Sequence, residues 1–94
     1  MLNIDTLTAE VNELTNKIVS ANAIIAKYRN KVKELNAQAD RTDDSKWDER
    51  LKLRNEAMDL SNSIYEAEAK VRTFEQLRTT KKDIIRTGAK LGMV

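Results

Sequence analysis

Apolar residues recur along the first part of the chain at steps of three and four without a miss: Ile4, Leu7, Val11, Leu14, Ile18, Ala21, Ile25, Tyr28, Val32, Leu35 and Ala39. An α-helix turns once per 3.6 residues, so this spacing gathers them on one stripe and predicts a helix over about 4–40. With Ile4 at heptad position a, the a row is mostly β-branched and Leu is the commonest residue at d, which is a coiled-coil seam. Asn3 or Asp5 can cap its start, because either side chain can accept from a backbone N–H two or three residues on. So long a helix is not held by propensity alone; something must cover its seam.

Asp40 to Ser45 is the polar cluster with no apolar residue at helical spacing, and it predicts a turn over about 41–45, with Ser45 and Asp48 resembling a capping box. A second seam, Leu53, Ala57, Leu60, Ile64, Ala67, Val71 and Phe74, predicts a second helix over about 46–87. After Phe74 the apolar phase slips by three to Leu77, then Ile84 and Leu91, a stammer that predicts local overwinding or a change of neighbour. Gly88 reads as the residue that ends the helix, with Ala89 against Ile84 and a short tail over 88–94.

The expected fold is therefore all-α: one helical domain, 1–94, folded as a long antiparallel hairpin, because so short a loop returns the second helix alongside the first. A three-helix bundle is the alternative, with a break at Ser61, Asn62 and Ser63, where Ser63 and Glu66 could form a second capping box. Charge supports the hairpin over a parallel zipper. A parallel homodimer would pair Glu10 with Thr15, Lys17 with Asn22, Ile24 with Arg29 and Lys31 with Asn36, none of them an ion pair. Folding back at Asp43 instead brings Asp5, Glu10 and Glu13 beside Arg78, Lys81, Lys82 and Arg86. Such exposed pairs contribute only ~0.2–1 kcal/mol each, so they choose an orientation and leave stability to apolar burial.

The second helix carries a further apolar row, Trp47, Leu51, Met58 and Tyr65, roughly 100° around from its seam. Val19 and Ile24 likewise broaden the first helix. A lone hairpin cannot cover these arcs. The row is thus the candidate interface, either for dimerisation into a four-helix bundle or for a partner protein. Trp47 has another reading, preferred on sequence grounds, as a plug closing the hairpin against Leu35 and Ala39.

Composition narrows the function. With 40% hydrophobic and 34% charged residues, two Gly and no Pro in 94 residues, the balance is that of solvated helices. The absence of Cys and His removes thiol nucleophiles, disulfides, the usual zinc ligands and the commonest general base. No catalytic, cofactor or metal residue is assigned, and no small-molecule substrate is evident. The longest apolar run, Ala23 to Ala26, is far short of a membrane span, so a soluble cytoplasmic protein is expected. Arg78, Lys82 and Arg86, with Lys81 beside them and Lys90 continuing the spacing, are a candidate nucleic-acid contact. The row lacks interleaved aromatics, and cations favour a helix C-terminus in any case, so a solvated face is the preferred reading. Lys27, Arg29, Lys31 and Lys33 point in several directions and form no face.

The length is similar to that of the small, dimeric, all-helical chorismate mutases. Their chemistry needs inward Arg and Lys to clamp a dicarboxylate, however, and here the first seam is apolar throughout, with only Arg29 loosely placed for such a role. Asp43 with Asp44, and Asp48 with Glu49, read as loop and capping residues. In composition the chain resembles the small helical accessory proteins of tailed bacteriophages, which include assembly chaperones and inhibitors of host systems. That likeness implies action by binding. The function expected from sequence is a non-enzymatic, self-associating interaction module that acts as a chaperone or inhibitor on another protein. Nucleic-acid binding and a purely structural spacer are the alternatives.

Overall fold

The computed structural model describes residues 3–90, with side chains as far as Gly88. The described chain is an α-helical hairpin: α1 spans Ile4–Arg41, a single 3-10 turn spans Asp44–Lys46, and α2 spans Trp47–Lys90. No helix in it is long and apolar enough to cross a membrane. Asn3 caps α1: its Oδ1 accepts from Thr6 N at 3.0 Å and its carbonyl from Leu7 N at 3.0 Å.

The three-helix alternative does not form, because α2 runs unbroken through Ser61–Ser63. The hydroxyls of Ser61 and Ser63 donate to the carbonyls of Ala57 and Asp59 one turn back, so both are satisfied inside the helix. The turn also differs from the capping box read at Ser45 and Asp48. Asp43 is the cap, its Oδ1 accepting from Ser45 N and its carbonyl from Lys46 N, and α2 begins at Trp47. The 3-10 turn moves the centre of the hairpin from Asp43 to about Lys46, so the facing residues differ by about six from those set by a fold at Asp43.

By backbone contacts the chain forms two compact units, Asn22–Glu68 and Met1–Ala21 with Ala69–Val94. In the first, Ile25, Leu35 and Ala39 of α1 and Ala57 and Ile64 of α2 are buried, with Tyr28, Val32, Leu53, Leu60 and Ala67 half-buried. All are seam positions. Arg54 donates to Asn36 Oδ1 at 2.9 Å and also pairs with Asp40, which sets the register. That register puts Leu35 opposite Ala57, Ile25 opposite Ala67 and Leu53 opposite Ala39. In these three layers large faces small, which lets the two helices approach closely, while between them Val32 falls opposite Leu60 and Tyr28 opposite Ile64.

In the second unit Val11, Leu14, Ile18 and Val71 are buried, and Ile4, Leu7, Ala21, Phe74 and Ile85 half-buried. The stammer read after Phe74 is not present. Leu77 and Ile84 are 45% and 38% exposed, and the covered positions are Arg78, Lys81, Ile85 and Gly88, which continue the four-three spacing from Phe74. Two cations occupy seam positions because their aliphatic stems lie along the apolar row while their heads reach polar partners at its edge. Lys81 Nζ donates to Glu10 Oε2 at 2.5 Å, and Arg78 Nη1 to Thr15 Oγ1 at 3.3 Å. Lys17 Nζ sits 5.9 Å from the centre of the Phe74 ring, covering it from the other helix.

Gly88 does not end α2, which continues to Lys90. Gly88 is buried in the seam, at the layer that the register sets opposite Ile4, so a residue that read as a stop is a packing position inside the helix. The packing read between Ala89 and Ile84, the side chain of Lys90, and the tail from Leu91 to Val94 lie outside the described residues.

Candidate functional site: an exposed apolar row on α2

The unit Asn22–Glu68 leaves one line of α2 uncovered. Trp47, Leu51, Met58 and Tyr65 are 63%, 49%, 59% and 70% exposed, although each is a residue type that gains by leaving water. Trp47 is therefore not a plug. With the hairpin centred near Lys46, the layers containing Leu35 and Ala39 are filled by Ala57 and Leu53, which leaves Trp47 at the helix start, beside the seam.

The same four-three spacing places Arg54 and Ser61 between these four residues and Glu68 just after them, positions that the apolar residues alone do not mark. Trp47, Leu51, Arg54, Met58, Ser61, Tyr65 and Glu68 form a second complete seam. Its apolar members project to solvent, while its polar members are half-buried and tied down. Arg54 is held by Asn36 and Asp40, Glu68 by Arg29, and Ser61 by the carbonyl of Ala57. Pairs this exposed contribute little to stability. They line the flank of the row with paired polar side chains.

Alongside Tyr65 the two helices leave an open groove of about 340 Å³, with Arg29 and Lys33 on one wall and Ser61, Tyr65 and Glu68 on the other. Val32 and Ile64 of the main seam also line it. A second hollow in this unit, about 430 Å³, is bordered by Lys27, Tyr28, Lys31, Glu34 and Leu60. Neither brings together three or more acidic residues in a metal-binding arrangement, and no such cluster occurs among the described residues. Arg29 points to Glu68, not into the seam.

The basic residues near the end of α2 do not share one face. Arg78 and Lys81 are half-buried against Thr15 and Glu10, whereas Lys82 and Arg86 are exposed, and Arg86 lies 3.7 Å from Asp83 on its own helix. Two of the four candidate nucleic-acid contacts are thus occupied with partners on α1. Of the charge pairing read from sequence, Glu10 with Lys81 is formed across the helices, while Glu13 pairs with Lys17 one turn along α1. Comparison with known protein families, curated proteins and solved structures finds no match to this chain.

Proposed function

We propose that the protein is a non-enzymatic helical interaction module whose working surface is the second seam of α2. The observation that carries this reading is the alignment of Trp47, Leu51, Met58 and Tyr65, all about half exposed or more, along one unbroken helix. Trp and Tyr supply large apolar area with few torsions to freeze, which is why such residues dominate the energetics of helix-mediated recognition. An exposed row of this kind on a small chain is characteristic of a protein that works by covering another helix or a groove. Acting as an assembly chaperone or as an inhibitor that occupies a partner's surface is consistent with this geometry.

The test is the double variant Leu51→Ser with Met58→Ser. Both positions are exposed, so helicity by circular dichroism should stay near that of the parent, while complexes formed through the row should be lost. Affinity capture from native host cells, with parent and variant side by side, reads out the second effect. Helicity lost as completely as in Ile64→Ser would mean that the row is core, and unchanged capture would remove it from recognition.

A further inference from the structure

We infer that, within the unit Met1–Ala21 with Ala69–Val94, the end of α2 has a second packing phase against α1, reached by a rotation of about 50° around its own axis after Phe74. The apolar residues that fall out of step at Phe74 are the basis. Leu77 and Ile84 stand three residues beyond the seam positions Phe74 and Lys81, and they project to solvent, 45% and 38% exposed. The seam in place steps by four instead, to Arg78 and Ile85. Replacing a step of four by one of three turns the centre of the facing stripe by about 50°, with the helix overwound at the join.

Few occupants change in that turn. Phe74, Lys81 and Gly88 belong to both stripes, while Leu77 replaces Arg78 and Ile84 replaces Ile85. Each incoming residue is one position from the one it replaces, so it reaches the same layers of α1, around Leu14 and Leu7, without the helices sliding. The first exchange buries a leucine where a cation stands, and the second is apolar for apolar, so burial favours the rotated phase. Overwinding opposes it, and so does one contact across the helices. Lys81 Nζ donates to Glu10 Oε2 at 2.5 Å, on the flank of α1 from which the rotation would carry Lys81 away. Thr73, just before the join, donates its hydroxyl to the carbonyl of Ala69, a bond that eases bending of the helix there.

The two phases offer different surfaces. In the observed one Leu77 and Ile84 face solvent and Arg78 is held at Thr15. The rotated one withdraws both apolar residues and moves Arg78 out of the seam, in line with Lys82 and Arg86 at steps of four. A partner that contacts either face therefore selects its phase.

The chain contains no cysteine, so pairs of thiols can carry spin labels. Asn12 and Thr79 are exposed on one flank of the seam, Thr6 and Thr87 on the other. A helix about 10–12 Å across moves its surface by about 5 Å in such a turn, so the first distance should lengthen and the second shorten by several Å. Glu10→Lys, which repels Lys81, and Arg78→Glu, which sets a carboxylate against Leu14, are the variants expected to drive it, with helicity kept. Leu77→Glu added to either should restore the parent distances, because a glutamate at 77 suits only the observed phase. An opposite-signed change in either variant, reversed by Leu77→Glu, supports the inference. Unchanged distances in both variants, changes of the same sign as in an opening hairpin, or a change that Leu77→Glu leaves in place would overturn it. Loss of helicity in both would do so as well, since a chain with a second phase available would adopt it instead of unfolding.

Discussion

Lys81 shows how one residue can look like surface and act as seam. Its charge and its place in a row with Arg78, Lys82 and Arg86 suggest a solvated face, yet its stem fills a seam position and its ammonium reaches Glu10. The pair is partly exposed, with side-chain accessibilities of 29% and 41%, so its Coulombic part is screened and small. Replacing Glu10 by Gln should cost at most about 1 kcal/mol, read as a small fall in denaturation midpoint that shrinks in high salt. Truncating Ile64 to Ala is a different matter, because a buried branched side chain leaves a cavity and a loss of ~2–5 kcal/mol is expected. Tyr65→Ser, one residue away and 70% exposed, should stay within about 0.5 kcal/mol in the monomer. Chemical denaturation of the pair of variants checks both values, and equal effects would contradict the assignment of the two positions to different faces.

At the level of the helices, the seam of α2 keeps its period past Phe74 only by accepting two cations and a glycine in place of apolar residues. Polar residues at seam positions lower stability while specifying register, since only one alignment gives each head its partner. Arg78→Leu with Lys81→Leu should accordingly raise the thermal midpoint by several degrees, because two more apolar side chains would cover Val11 and Leu14. The register itself is open to a direct check within the unit Met1–Ala21 with Ala69–Val94. Spin labels at Asn12 and Thr79, both exposed, should report a short intramolecular distance, with label pairs six residues out of step longer. In the double leucine variant the distance distribution should broaden as alternative alignments become accessible. A single sharp distance there would show that the cations do not fix the register.

For the molecule as a whole, the buried apolar set is small: nine aliphatic side chains among the described residues. A chain this short gains little stability from such a core, so covering further apolar surface has a large proportional effect. Any occupant of the second seam should therefore raise the apparent midpoint by mass action. Thermal denaturation with increasing amounts of the partner recovered by affinity capture reads this directly. The parent's midpoint should climb and that of Leu51→Ser with Met58→Ser should not; a flat response in the parent would leave the occupant without a stabilising role.

The sequence alone determined both helices, the antiparallel hairpin and almost every seam residue from Ile4 to Phe74, because a 3.6-residue period fixes which side chains share a face wherever the apolar pattern is unbroken. It also marked Trp47, Leu51, Met58 and Tyr65 as a separate line. The tertiary structure decided the rest, at positions where residue type and environment disagree. Arg78, Lys81 and Gly88 lie in the seam because long stems and a missing side chain can occupy layers that hydropathy assigns to Leu77 and Ile84. Ser61 and Ser63 continue the helix because their hydroxyls find carbonyls one turn back. Trp47 stays in solvent because one turn of 3-10 helix shifts which residues face each other, and only that shift shows which layers were already filled.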